Sequence, residues 1–288
     1  MSFKEGLKTI VVATNPDSES EAALEYAQKL AASYGARIVL AHSLDPMEYA
    51  TVDGVPGRVL RKMNEDARKA LDKIACDLLK EAISSHSEVR QGAVAQMLVN
   101  VARQYRAGLI VIGTRGQDGV GPLLVGSIAE QVVRVAPCPV LAVAADWNAG
   151  PYRPIPGGAV LLAMEKNEAA QEAVATAYSL AETFDRPLVV LHARTAAEAS
   201  AFLNPCATTR EEFGIEPDGK VPVRCIVKDG APADAIAATI VQYHPSILVV
   251  GVKRASETPG PHGTAFSLLA GSRVPVLCVP PAIQPVEA

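Results

Sequence analysis

Cysteine is sparse and unpatterned in this chain of 288 residues: Cys76, Cys138, Cys206, Cys225 and Cys278 are scattered, odd in number and never spaced CxxC. That leaves no zinc-ligand spacing and no disulfide framework, so reduced thiols in a cytoplasmic protein are expected. Basic runs are missing as well. With a net charge of −4 and a sequence pI near 5.8, the chain does not look like a binder of nucleic acid or of anionic membranes. No segment approaches the ~20 uninterrupted apolar residues of a membrane span. The opening "MSFKEGLKTIVVATNP" lacks the charged-then-apolar layout of a secretory signal. Aromatic residues make up only 5%, so the apolar volume rests on the abundant Ala and Val.

What is present is a core-forming composition, 49% hydrophobic and 20% charged, in a chain long enough for two domains. The chain also repeats itself. "IVVATNPDSESEAALEYAQKLA" from Ile10 matches "VLLAMEKNEAAQEAVATAYSLA" from Val160, and His42 matches His192, all at an offset of 150. Gly92, Tyr105 and Gly113 match Gly230, Tyr243 and Gly251 at an offset of 138. The second copy is therefore 12 residues shorter between its second and third strands. "CPVLAV" at Cys138 pairs with "VPVLCV" at Val274. The join, "DWNAGPYRPIPGG" from Asp146 to Gly158, is rich in residues that end helices and strands. Two domains are expected, at 1–146 and 147–288.

Each copy alternates strand and helix. In the first, "TIVVAT", "RIVLAHS", a weaker "EVRQG", "LIVIG" and "PVLAV" read as short strands buried on both faces. The first helix has a capping-box spacing at Ser18 and Glu21, an apolar face of Leu24, Ala27, Leu30 and Ala31, and Gly35 at its stop. Further helices are expected over Val59–Ser84 and Ala93–Tyr105, and from Ser127. Such alternation implies a parallel sheet with helices on both faces. Ligands in such folds bind beyond the carboxyl ends of the strands.

The stretch "GTRGQDGVGPLLVGS", Gly113 to Ser127, begins at such an end and places five glycines in fifteen residues. Glycines let backbone N–H groups approach an anion. Ser127 and Glu130 have capping-box spacing, which sets a helix N-terminus there, and its free N–H groups favour phosphate. A phosphate cradle between Gly113 and Ile128 is the physical candidate. It is not a P-loop, since "GPLLVGS" lacks the lysine. Nor is it a Rossmann dinucleotide fingerprint, since "ATNPDSE" after the first strand has no glycine.

The spacing G-x2-G-x9-G-[ST], spelled by Gly113, Gly116, Gly126 and Ser127 after the fourth strand, resembles the universal stress protein family in its tandem two-domain form. The similarity runs from about Leu7 to Pro281. It implies two Rossmann-like domains, each a five-stranded parallel sheet of order 3-2-1-4-5 flanked by helices. It implies ATP or a related adenine nucleotide, with or without magnesium, held in the first copy. Gly113, Arg115, Gly116, Gly126, Ser127 and Ile128 would contact phosphates and ribose, and Ile112 is counted with the nucleotide-binding residues. Ala13 and Asn15 would face adenine and ribose, and Ile38 would pack near the adenine. It also implies pairing through the last strand, between the two copies or as a homodimer.

There are departures. ATP binders of the family usually carry Asp where this chain has Asn15, and Asn offers one carbonyl acceptor and two donors instead. Asp17 nearby could substitute or cap the first helix. In the second copy, "GVKRASETPGPHGT" has Arg254 at the second glycine position and is one residue short before Gly263-Thr264. Glu165 stands at the Asn15 position. This copy reads as a site decayed or changed in purpose.

Among side chains, Arg115 suits phosphate best. Asp118 could hold magnesium or be a plain loop acid. His42 and His192 read as structural strand-end histidines, and Lys253-Arg254 as a solvated basic pair. Three functions are weighed: a nucleotide-binding stress protein, a slow ATPase or nucleotidyl-transfer enzyme, and a ligand-free scaffold for protein contacts. Phosphoryl transfer needs charge neutralisation and a positioned nucleophile. With no P-loop lysine and no acid pair for a metal, binding ranks above catalysis.

Overall fold

The computed structural model describes residues 3–15, 21–44, 57–114, 127–145, 157–165, 167–194, 219–253 and 272–282. Five strands belong to the first copy: β1 (Thr9–Ala13), β2 (Arg37–Leu44), β3 (Ser85–Gln91), β4 (Leu109–Thr114) and β5 (Val140–Ala144). Five belong to the second: β6 (Val160–Met164), β7 (Leu188–Arg194), β8 (Val223–Asp229), β9 (Ile247–Gly251) and β10 (Val276–Val279). The described helices are α1 (Phe3–Gly6), α2 (Glu21–Tyr34), α3 (Gly57–Lys80), α4 (Val94–Gln104), α5 (Ser127–Val135), α6 (Ala170–Phe184) and α7 (Pro232–Tyr243).

All ten strands form one sheet in the order β3-β2-β1-β4-β5-β10-β9-β6-β7-β8. Each half therefore has the order 3-2-1-4-5, and its internal pairings are parallel. The halves meet where β5 and β10 pair antiparallel, with Leu277 opposite Leu141 and Cys278 opposite Val140. Each last strand thus covers the edge the other would leave open.

Because side chains alternate along a strand, each apolar strand feeds both faces. Ile10, Val12, Leu141 and Leu277 face one core, with Tyr26, Leu71 and Leu180 from α2, α3 and α6. Val11, Ile110, Val140 and Cys278 face the other, with Leu98, Val132 and Ile236 from α4, α5 and α7. Both cores run through the junction without a break.

Local sequence explains most boundaries. Gly35 takes φ +62 and stops α2. That helix buries Ala23, Tyr26, Ala27, Leu30, Ala31 and Tyr34, while Leu24 of the expected stripe sits half-buried at its border. Ser18 of its expected cap lies outside the described residues. The long helix α3 stops at Lys80 rather than Ser84: Ala82 adopts φ +59, and Ile83 N–H donates to Leu78 O at 3.0 Å. The chain then enters β3 three residues before the expected Glu88, because β2 pairs along its length from Ile38↔Ser85 to Leu44↔Gln91. This outermost strand is polar, so its sequence signal was weak.

Aromatic residues, though few, gather at the junction. Tyr34 meets Phe3 and Phe184 edge-to-face, each at 6.0 Å between ring centroids. Tyr26 is fully buried, and its hydroxyl donates to Ser246 O in the other half at 3.1 Å.

Candidate functional site

The chain covers one face of the first half with α2 after β1, and the opposite face with α5 after β4. Because β1 and β4 are neighbours, the crossovers diverge between them and leave a crevice at their carboxyl ends. The residues there are Ala13 at the end of β1 with Thr14 and Asn15 after it, Ile112, Gly113 and Thr114 at the end of β4, and the start of α5.

The end of β1 is tied to β2. Thr14 N–H donates to Ala41 O at 2.9 Å, and the Thr14 hydroxyl donates to the same carbonyl at 3.2 Å. His42 Nδ1 lies 2.8 Å from Thr14 O, so the ring donates there in the tautomer protonated at Nδ1. Three bonds, each worth about 1 kcal/mol, hold the backbone that presents Asn15, which is exposed. This accounts for His42 as a strand-end clamp. On the neighbouring strand, Ser43 Oγ donates to Gly92 O.

At β4, Gly113 is exposed and pairs with Val143, while Ala145 N–H donates to Thr114 O at 3.2 Å. The helix α5 begins at Ser127, as its sequence position implied. Ile128 in its first turn is 41% exposed, a large apolar side chain left open beside the crevice. Glu130 pairs with Arg134 one turn on, at 2.6 Å.

The structure thus brings together Ala13, Asn15, Ile112 and Gly113 at the adjacent ends of β1 and β4. Of these, Ile112 is 3% exposed and belongs to the core face. Ser127 and Ile128 open the helix that follows β4. Ile38 does not join them. It is the second residue of β2, pairs with Ile10 near the amino end of β1, and is 0% exposed. Its apolar side chain is used by the core, so it cannot meet a ligand at the carboxyl ends. Arg115, Gly116, Gly126, Asp17 and Asp118 lie outside the described residues. The residues missed by sequence reasoning are Thr14 and Ser43, while His42 was read as a structural strand-end histidine without its partner. Applying the carboxyl-end rule to β2 would have pointed to His42 and Ser43 instead of Ile38. Among the described residues, no cluster of three His, Cys, Asp or Glu side chains could hold a metal ion. No described helix is long and apolar enough to cross a membrane.

The same place in the second half is built differently. There Asn167 Oδ1 accepts from Ala169 N–H at 2.9 Å, and Asn167 Nδ2 donates to Gly251 O at 3.3 Å. A Cβ added at Gly251 would lie 3.2 Å from Asn167 Oδ1 and 3.3 Å from Ala169 Cβ. Gly251, the counterpart of exposed Gly113, is therefore half-buried, with the turn that leads into α6 packed against it. Lys253 is exposed, as a solvated basic residue is, and faces Glu165 at 3.4 Å, an exposed pair worth at most about 1 kcal/mol.

A sequence profile of the universal stress protein family matches residues 6–144 and 158–280. A universal stress protein of Mycolicibacterium smegmatis is 30% identical over 189 residues, covering 64% of this chain and 63% of that protein, so the match spans under two thirds of its length. One of Thermus aquaticus is 32% identical over 136 residues, covering 47% of this chain and 98% of the relative. The crystal structure of a universal stress protein from Archaeoglobus fulgidus superposes with a TM-score of 0.75 over 94% of this chain and 98% of that one. At 18% identity, that likeness speaks for the fold alone. With both halves matched by the same profile, the chain belongs to the universal stress protein family.

Proposed function

We propose that the first half binds ATP or a related adenine nucleotide, and that the second half has lost this capacity and serves pairing or regulation. The functional division falls at 1–146 and 147–288, and the protein acts in the cytoplasm as a binding protein rather than an enzyme. The observation that carries this reading is the contrast between equivalent positions. Gly113 stands exposed at the end of β4, whereas Gly251 is half-buried with Asn167 and Ala169 packed against it.

The groups present suit a nucleotide. Gly113 has no side chain to keep a phosphate from its backbone, and α5 opens with N–H groups that have no partner within the helix and whose dipole favours an anion. The open side chain of Ile128 offers apolar surface to a ribose or base. Asn15 follows the Thr14–His42 clamp at the exposed end of β1 and is an amide, able both to donate and to accept. Arg115, Gly116 and Gly126 complete the spacing in the sequence.

The test is mass spectrometry of nucleotide released from gently purified protein, followed by ATP titration into the wild type and Gly116→Arg. That substitution copies the residue found at the matching position of the second half. It is expected to weaken binding at least tenfold, about 1.4 kcal/mol. Equal affinity in the two proteins would remove the glycine cradle from the reading.

A further inference from the structure

A cavity of about 200 Å³ lies at the junction of the halves, at the amino ends of β4 and β5 and the carboxyl end of β10. It is at the opposite edge of the sheet from the crevice between β1 and β4. The repeat explains why the space exists. On one side of the junction the fully buried Tyr26 spans the gap and donates its hydroxyl to Ser246 O. At the offsets of 150 and 138, the counterparts of Tyr26 and Ser246 are Thr176 and Gly108. Both line the cavity. Gly108 cannot carry a side chain, because a Cβ there would collide with Gly6 O and lie 3.0 Å from Leu7 Cα. A phenol fills one side. On the other, a threonine and bare backbone leave room.

The walls have a definite chemistry. Pro137, Pro139, Pro280 and Pro281 line the cavity and bring no N–H donor to it; the Pro139 carbonyl accepts from Ile110 N–H at 3.0 Å. Glu172 is the one charged residue of the lining, and it stands where the first half has Ala22. Among the described residues, no basic side chain forms an ion pair with it. The remaining surface is largely apolar and includes Phe3. A half-buried carboxylate beside prolines that bring no N–H donor, among largely apolar walls, is complementary to a cation with an apolar body.

We propose that this cavity binds a small organic cation, a protonated primary amine on a compact apolar body. The ammonium sits at Glu172 and the body lies against Phe3 and Thr176. A cavity of about 150 Å³ suffices to take up benzene, so the present one has room for benzylammonium.

The experiment titrates benzylamine at neutral pH into the full chain, with ligand-observed NMR as the readout and benzyl alcohol as the uncharged control. Saturable binding of millimolar order is expected, with the alcohol and Glu172→Gln each weaker by at least about tenfold. Thr176→Tyr, which copies Tyr26, is expected to abolish binding while keeping the far-UV spectrum and the melting temperature. No saturable binding of benzylamine would overturn the proposal. So would equal binding of amine and alcohol, or unchanged affinity in Glu172→Gln. If Thr176→Tyr does not fold, the amine-to-alcohol ratio and Glu172→Gln decide the matter without it.

Discussion

Tyr26 offers the sharpest test of how the two halves are held together. It is a fully buried side chain of α2, and its hydroxyl bonds a carbonyl 220 residues away. Tyr26→Phe keeps the ring and removes only the donor. Ser246 O then loses that partner in a buried setting, a cost of about 1–2 kcal/mol. Tyr26→Thr copies the residue at position 176 and removes the ring. Aromatic-to-small truncations in cores cost about 3–5 kcal/mol through lost burial and the cavity left behind. Threonine retains a Cγ, so about 3–4 kcal/mol is expected. Urea unfolding followed by far-UV circular dichroism measures both variants, and the denaturant slope shows whether one transition is retained. The Phe variant should fall between wild type and the Thr variant. A Phe variant within about 0.5 kcal/mol of wild type, together with a Thr variant costing under about 1 kcal/mol, would refute the reasoning. The first result would mean that the cross-half bond is not made, the second that the ring is not packed.

Other expectations follow from burial and from the second half. Burial pushes the Tyr34 hydroxyl from 10.0, and the Cys138 and Cys278 thiols from 9.0, up to about 12. The folded state holds these protons more tightly than the unfolded chain. Their contribution is therefore whole below pH 9 and is lost as pH rises from 9 towards 12. Unfolding free energy measured across that range should fall, and a flat profile would contradict the burial. In the native protein at pH 8, a thiol reagent mapped by mass spectrometry should label Cys76, which is exposed, and leave buried Cys138 and Cys278 unlabelled. Asn167→Ala removes the bonds to Ala169 N–H and Gly251 O and should cost about 1 kcal/mol in the same unfolding assay. An unchanged midpoint would show that Asn167 does not pack against Gly251.

Much of the site was legible because its signals are local. Gly113 at a strand end and Ser127 at a helix start are read from neighbours a few residues away. Ile38 shows the limit. A β-branched residue in an apolar strand suits a ligand wall or a core equally well, and only the register Ile10↔Ile38 places it at the amino end of the sheet. The Thr14–His42 clamp was hidden for a similar reason, since 28 residues separate its partners.

By itself the sequence determined that one strand–helix unit occurs twice, that its inner strands are buried on both faces, and that glycines follow the fourth strand of the first copy. These properties reside in periodicity, in turn residues and in constant offsets, all of which act over short stretches of chain. Tertiary structure alone decided the register of β5 against β10, the packing of Asn167 against Gly251, and the difference between a filled junction at Tyr26 and an open one at Thr176. Each of those depends on which distant backbone a side chain meets, and that is settled only when both cores close across the same sheet.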